Sequence, residues 1–295
     1  MFGFLKKTGA TTPAQPVAVP NDGNTPAAAD GCPVDHGAMT GDTSADAAAN
    51  RRKDSRVVEV GWIIDTDKAG FIWAEPKQLK RITSYNKHSK SVAVCPGVLD
   101  YDARMFEVPS PIDVQLRIRI DDKGNPQLIN VNADRSTIRS KHLGQMVAVM
   151  PRKEWRDPDK PIIQLITPYL FVADDVAWMS QMPPFNHYNA RPWPGVMIGG
   201  RLPVHIWPRH MMWAFEWHDI KQDLFLKRGE PLFYARFETQ DPTRPVRMVE
   251  AVKTPELAEF LKGLSGVTNY VNRTFSLFQV AQERRPAKLL TRKTG

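Results

Sequence analysis

The amino-acid sequence predicts a mainly β protein: a jelly-roll or sandwich-like antiparallel domain with a C-terminal helix and a disordered N-terminal arm. Short apolar segments separated by Pro- and Gly-rich turns recur from residue 57 to about residue 252. Apolar residues recur at helical spacing only after Thr254, and residues 1–56 contain almost no large apolar residue. Strands at short, regular spacing are typical of sandwiches and barrels, not of βαβ units.

The arm, residues 1–56, consists mostly of Ala, Thr, Pro, Asp and Gly. Such a segment buries too little apolar surface to offset its chain entropy, which predicts disorder. Phe2–Leu5 is far shorter than the apolar region of a signal peptide. No apolar run approaches the ~18 residues that a membrane span needs. We therefore expect a cytoplasmic protein without a membrane span.

The clearest strand is Asp113–Ile120, in which apolar and polar residues alternate with a period of two. Asp121–Pro126 is a predicted turn, and Gln127–Val131 is the predicted hairpin partner. Lys77–Thr83 is expected to form one or two helical turns. The other predicted strands are Val57–Ile64, Gly70–Trp73, Gln145–Met150, Ile162–Ile166, Tyr169–Val172, Val196–Ile198, Leu202–Ile206, Met211–Trp217, Asp223–Leu226 and Leu232–Phe237.

The pattern changes to helical spacing at residues 253–282, after the β-rich domain of residues 57–252. Thr254 is a suitable N-cap and Pro255 suits the first helical position. The apolar stripe is expected to pack on the outside of the sheet. Its members are Leu257, Phe260, Leu261, Leu264, Val267, Val271, Phe275 and Phe278.

Half of the net charge of +8 lies in residues 283–295, which contain five Lys or Arg against Glu283, and the other half is spread over residues 57–282. Tails of this kind are most often simply solvated, which is the expectation here. The alternative is that the tail attracts a polyanion such as nucleic acid.

The loop of Pro183–Trp193 is the first candidate for a ligand site. Rigid, polar-tipped loops on a β scaffold often bind ligands. Here Trp193 would stack on a small molecule while polar side chains orient it. The alternative is an ordered crossover whose prolines only fix its path. The candidate ligand-binding residues are Asn186, His187, Tyr188, Arg191 and Trp193.

A second candidate is a metal site in the predicted strand Met211–Trp217. Glu216 and His218 are two residues apart and would share one face of a strand. With His205 or His187 they would form the two-histidine, one-carboxylate set of a non-haem iron site. The alternative is that both side chains lie on a solvated face.

Cysteine-containing segments provide two further hypotheses. Cys32-Pro33-Val34-Asp35-His36 resembles the Cys-Pro haem-motif segments found near the N-termini of several haem proteins. Cys32 and His36 are chemically able to bind ferric haem or a soft metal. Cys95 is expected to be a buried structural thiol. Asp100 and Asp102, which follow it, are expected to form a turn.

The order of short motifs from Val92 to Phe237 resembles the uncharacterised DUF6065-like family of bacterial and tailed-phage proteins. The motifs include Thr167-Pro168-Tyr169-Leu170-Phe171, Pro183-Pro184-x-Asn186 and Gly229-Glu230-Pro231-Leu232. The resemblance implies a small β-rich, phage-associated domain and no established activity. We therefore expect a β-sandwich protein that binds a small molecule in the Pro183–Trp193 region. The alternatives are a cupin-like iron oxygenase and a phage-associated structural or interaction protein.

Overall fold

The computed structural model describes residues 57–66, 72–79, 94–187, 192–267 and 273–294. These residues belong to one compact unit, Asp46–Gly295, and most of their regular structure is β-strand. The mainly β class is therefore confirmed, as is the change to helical structure near the C-terminus. The predicted arm of residues 1–56 lies outside the described residues.

Fourteen strands and four α-helices are present among the described residues. The strands are β1 (Val58–Ile64), β2 (Lys77–Gln78), β3 (Met105–Pro109), β4 (Val114–Ile120), β5 (Pro126–Asn130), β6 (Val147–Val149), β7 (Ile162–Val172), β8 (Ala177–Met182), β9 (Gly195–Ile198), β10 (Gly200–Pro203), β11 (His210–Trp217), β12 (Leu224–Leu226), β13 (Pro231–Thr239) and β14 (Val246–Glu250). The helices are α1 (Pro96–Ala103), α2 (Ser140–Leu143), α3 (Pro255–Val267) and α4 (Thr274–Arg284).

The first sheet is built around β7 and has the order β14-β1-β7-β11-β9. One edge of β7 pairs with β11, and the other edge pairs first with β6 and then with β1. β1 and β14 run parallel, whereas every other strand pair among the described residues is antiparallel. The pair β1–β14 is therefore the exception in a domain that is otherwise antiparallel among the described residues, as the sequence predicts. Parallel neighbours need a long connection, and these two strands come from opposite ends of the domain.

The sequence predicts two strands where the structure has the single strand β7. Thr167 and Pro168 separate the two predicted segments, because proline cannot donate to a sheet ladder. In the structure Pro168 lies between the residues that pair with β6 and those that pair with β1. No ladder bond requires its missing N–H, so the strand continues through it.

The second sheet has the order β10-β8-β13-β3-β2, and the third has the order β12-β4-β5. In β4 the predicted alternation is confirmed at Val114, Leu116 and Ile118, which are buried. Ile120 ends the strand and is 40% exposed. Gly124 adopts a φ of +79° in the predicted turn between β4 and β5, a conformation that glycine adopts readily.

The three sheets share one apolar core, in which several large aromatic residues of the second half are buried. Trp213 and Trp217 are fully buried, and the Trp213 indole donates a hydrogen bond to the Leu232 carbonyl at 3.0 Å. A buried indole N–H needs such an acceptor. Phe171 and Phe237 meet edge to face within this core, at a centroid distance of 5.7 Å.

A second apolar cluster covers the opposite face of β1 and β7. Leu170 and Val172 belong to this cluster, whereas Tyr169 and Phe171 alternate with them and face the main core. The predicted stripe of α3 packs here through buried Leu257, Phe260 and Leu264. Thr254 caps α3 by accepting a hydrogen bond from the Leu257 N–H at 3.2 Å. The N-cap and the outside packing are therefore confirmed.

The predicted packing of the apolar stripe is not found at every member. Phe275 in α4 is 85% exposed, so its predicted role in the packing is wrong. Val271 lies outside the described residues. The helical segment consists of two helices, α3 and α4, and the glycines Gly263 and Gly266 lie inside α3.

The basic tail is docked on the domain, contrary to the solvated tail expected from composition. Leu289 and Leu290 are buried in the second apolar cluster. The Arg285 guanidinium donates to the carbonyls of Asp174, at 2.9 Å, and His205, at 2.5 Å. Arg292 forms an ion pair with Glu59, at 2.5 Å. The composition of the segment shows its charges, but it does not show that Leu289 and Leu290 are buried.

Several elements were missed or misassigned. Helices α1 and α2 and strands β3, β8 and β14 have no counterpart among the predicted elements. Lys77–Gln78 forms a strand beside β3 in place of the predicted helical turns, and residues 80–83 lie outside the described residues. The predicted strand Gly70–Trp73 is not formed at Ile72 or Trp73, and its first two residues are outside the described part.

Candidate functional site

The predicted ligand loop does not present Trp193 to a ligand. Its ring packs edge to face against Trp213 at 5.5 Å and Phe215 at 6.0 Å, so it joins the core. Asn186 is exposed. Tyr188 and Arg191 lie outside the described residues.

His187 is half-buried, and its Nε2 lies 3.6 Å from the Glu230 carboxylate. Burial raises the pKa of the neighbouring Glu107 carboxyl, against the opposing charges of His187 and Lys77. Tyr234 is buried nearby, and burial raises its pKa to about 12. The loop therefore packs beside a patch of acidic and phenolic groups on the second sheet.

Glu216 and His218 do share one face, as predicted. His218 Nε2 lies 2.9 Å from one oxygen of Glu216, and Arg156 Nε donates to the other oxygen at 2.7 Å. The hydrogen bond from Arg156 is the main reason that the pKa of Glu216 is lowered. Both carboxylate oxygens thus already have partners within the protein.

The third ligand of the predicted iron set does not join them. His205 is buried, with Nδ1 2.9 Å from the Ala177 carbonyl, and burial lowers its pKa. Within the described ranges, no group of three His, Cys, Asp or Glu side chains could hold a metal ion. The set of Glu216, His218 and His205 or His187 is therefore not assembled. Strand spacing predicts which side chains share a face, but not which distant strand lies opposite.

The other cysteine and aspartate assignments also change. The predicted haem ligands Cys32 and His36 lie outside the described residues. Cys95 is exposed at the start of α1, so the expectation of a buried thiol is wrong. Asp100 and Asp102 lie in α1 and not in a turn, and Asp100 pairs with Arg104 at 3.1 Å.

The structure instead brings polar groups together in a cleft between α3 and the first sheet, here called the α3 cleft. Asp65 follows β1, His210 begins β11 and Lys253 follows β14. β1 and β11 pair with opposite edges of β7 in staggered registers, so the end of β1 and the start of β11 both lie beside Tyr169 and Leu170, and the parallel strand β14 ends beside β1. Lys253 Nζ lies 2.8 Å from both oxygens of Asp65, and His210 Nε2 lies 2.8 Å from one of them.

The electrostatics of this group keep Asp65 ionised. Burial raises the pKa of its carboxyl, but the hydrogen bonds and charges of Lys253 and His210 outweigh burial and lower it. An ionised carboxylate only accepts hydrogen bonds, so Nε2 of His210 carries the proton of this bond. That tautomer leaves Nδ1 as an acceptor when the ring is neutral.

The strand alternation of β11 places His210 on the cleft side. The pairing of β11 with β7 shifts register between His210 and Met212, where two steps along β11 span four along β7. The extra residues therefore belong to β7. His210 and Met212 both line the cleft, whereas Met211 between them is buried in the main core.

Arg209 is the most unusual group of the cleft. Its guanidinium lies over the Trp207 ring, 5.0 Å from the centroid. Among the described residues, no carboxylate lies within ion-pair distance of it. Burial lowers its pKa, with no opposing contribution from an acid. The Arg209 side chain is nevertheless exposed, so an anion from solution can reach a cation that has no acidic partner among the described residues.

The cleft encloses about 540 Å³ and combines this charge with an apolar wall. Leu261 and Leu264 of α3 line it together with Met212. Lys253 and Lys262 add positive charge, and Asp65 is the acidic residue in the lining. A smaller cavity of about 230 Å³ adjoins it and shares Asp65, His210 and Met212. The cleft is thus positively charged at one wall and apolar at another.

Sequence reasoning missed this site because its residues are far apart in the chain. Asp65 and His210 are separated by 145 positions, and Asp65 and Lys253 by 188. Arg209 follows Trp207 by two positions in the sequence, and an arginine at this spacing can stack on the tryptophan ring. The spacing alone does not show that Arg209 has no acidic partner among the described residues.

Comparisons with known proteins returned nothing: no family model, no curated protein and no solved structure matches this chain. The resemblance to the DUF6065-like family therefore stays a prediction. In the part of the chain that the structure describes, no helix is both long enough and apolar enough to span a membrane.

Proposed function

We propose that this protein binds a small organic anion with an apolar body, such as a medium-chain carboxylate, in the α3 cleft. The observation that carries the proposal is Arg209, an exposed cation that stacks on Trp207 and has no acidic partner among the described residues. The proposal keeps the small-molecule binding expected from the sequence and moves it from the Pro183–Trp193 loop to the cleft.

The head group would be recognised by charge. Arg209 provides a planar fork of N–H donors, and its stacking on Trp207 restricts the orientation of that fork. His210 and Lys253 lie on the same lining and are held by Asp65. Charge-assisted hydrogen bonds to a carboxylate are stronger than neutral ones.

The body of the ligand would pack on the apolar wall. Leu261 and Met212 are only partly buried, so each retains apolar surface facing the cleft. The volume of about 540 Å³ lies within the range of about 300–1,000 Å³ typical of small-molecule pockets. Each methylene that leaves water contributes about 0.8 kcal/mol, so a longer chain should bind more tightly.

The test is isothermal titration of the purified full chain with decanoate and with acetate at neutral pH. We expect decanoate to bind saturably and acetate to bind far more weakly. Arg209→Gln should weaken decanoate binding about tenfold or more, as expected for a lost hydrogen bond to a charged group. Arg119→Gln, which removes an exposed arginine of β4, is the matched control and should leave binding unchanged.

A second variant tests the apolar wall. Leu261→Ala should reduce the preference for decanoate over hexanoate, because it removes surface from the wall and leaves the charges in place. The proposal is refuted if decanoate gives no saturable binding, or if Arg209→Gln and Arg119→Gln bind it equally well.

A further inference from the structure

We infer that the outer face of the second sheet holds a second, independent binding site, which takes a soluble phosphate monoester. A cavity of about 600 Å³ lies on this face and shares no lining residue with the α3 cleft. Three arginines line it: Arg104 after α1, Arg201 of β10 and Arg236 of β13. This inference does not depend on the function proposed for the α3 cleft.

Sheet register explains why two of these arginines converge. Ser180 of β8 pairs with Arg201 on one side and with Arg236 on the other, so the three residues form one row across the sheet. Side chains in such a row stand on the same face, about 5 Å apart from strand to strand. Because Ser180 is small, it leaves open space between the two guanidinium groups.

Both guanidinium groups are held in fixed orientations. Arg201 lies over the Trp178 ring at 4.2 Å and Arg236 over the Tyr101 ring at 4.7 Å. Glu238 accepts hydrogen bonds from both arginines, through a different oxygen for each. Burial raises the pKa of Glu238, but the two arginines outweigh this and lower it. Glu238 is therefore a positioning residue for the two forks.

Donors remain available after these contacts. Arg236 uses Nη1 to bind Glu238, and its Nε is buried with no hydrogen-bond partner within the described residues. A buried donor without an acceptor costs free energy, and a ligand oxygen recovers it when the Arg236 side chain turns that Nε toward the cavity. Arg104 adds a third, almost fully buried guanidinium, which donates to Asp100, to Thr239 Oγ1 at 3.1 Å and to the Pro242 carbonyl. It therefore contributes positive charge to the cavity and not a free donor.

The charge balance indicates an anion. The lining contains three arginines against Asp100 and Glu238, and the Asp100 side chain is 60% exposed, so water screens its charge. Arginine forks that approach from several strands match the oxygens of a tetrahedral phosphate better than a planar carboxylate. The lining of this cavity has fewer apolar side chains than the α3 cleft, which favours a compact, polar ester.

The experiment is isothermal titration of the full chain with glycerol phosphate, with inorganic phosphate, and with phosphatidylcholine vesicles that contain phosphatidic acid. We expect saturable binding of glycerol phosphate, and weaker binding of inorganic phosphate. Arg236→Gln should weaken glycerol phosphate binding about tenfold or more, and Arg119→Gln should leave it unchanged.

Arg236→Lys is the second variant, because it keeps the positive charge beside Glu238 and loses only the planar fork. It should also weaken binding, which shows that geometry matters and not charge alone. The inference is overturned if neither phosphate compound binds, if Arg236→Gln and Arg119→Gln bind glycerol phosphate equally, or if only the vesicles bind. Saturating decanoate should not change glycerol phosphate affinity, since the two sites are separate.

Discussion

Leu289→Ala should destabilise the protein far more than removal of a charge from the same segment. Leu289 is 1% exposed and packs in the cluster that also contains Leu257 and Ala281. Truncation of a buried leucine to alanine typically costs about 2–5 kcal/mol, because apolar contact is lost and a cavity remains. Arg292→Gln removes an ion pair whose arginine side chain is 55% exposed. Exposed pairs of this kind contribute about 0–1 kcal/mol.

Thermal unfolding followed by circular dichroism measures this difference. For a domain of this size, Leu289→Ala should lower Tm by roughly 6–12 °C, and Arg292→Gln by less than about 3 °C. Urea unfolding should give the same ranking of the two variants. If Arg292→Gln lowers Tm as much as Leu289→Ala, charge and not burial holds the C-terminal segment. The reasoning would also be refuted if neither variant changes Tm.

Two further predictions concern close backbone contact and pH. Gly195→Ala should destabilise the protein by about 2 kcal/mol or more, because a Cβ there would lie 2.0 Å from the Glu216 carbonyl oxygen. Gly263→Ala, inside α3 with nothing within 4 Å, should instead stabilise by about 0.5–1 kcal/mol; equal effects in urea unfolding would contradict the geometry. The lowered pKa of Asp65 means that its stabilising contribution is present above the ordinary value of 3.8 and is lost as pH falls through the folded value. Asp65→Asn should therefore reduce the loss of stability on acidification below that value, and parallel curves of unfolding free energy against pH would exclude this role.

Local patterns predicted much of the secondary structure. The alternation in Asp113–Ile120 predicted β4 because every second residue meets the core, and this depends only on strand geometry. Thr254 and Pro255 predicted the start of α3, because capping and the fixed φ of proline act within one turn. In the second half of the chain, strands were correctly predicted at β7, β9, β11, β12 and β13, whereas β8 and β14 were missed.

Local sequence patterns could not predict the candidate site. Glu216 and His218 were placed together correctly, because they are neighbours on one strand. The partner that occupies Glu216 is Arg156, from a different segment 60 residues earlier. Trp193 was assigned to a ligand, but the sheet carries Trp213 and Phe215 underneath it. In both cases the contacts of the side chain are made by residues that are distant in sequence, and local patterns do not identify such residues.

The sequence by itself determined the class of fold, the alternation of buried and exposed faces in β4, and the N-cap of helix α3. Those features follow from backbone geometry and from the free energy of burying apolar side chains, which act on neighbouring residues. Only the tertiary structure decided that the basic segment docks through Leu289, that Asp65 meets His210 and Lys253, and that Arg209 lacks an acidic partner among the described residues. These outcomes depend on which strand ends the sheet order brings together, and that order is set by the packing of the whole domain.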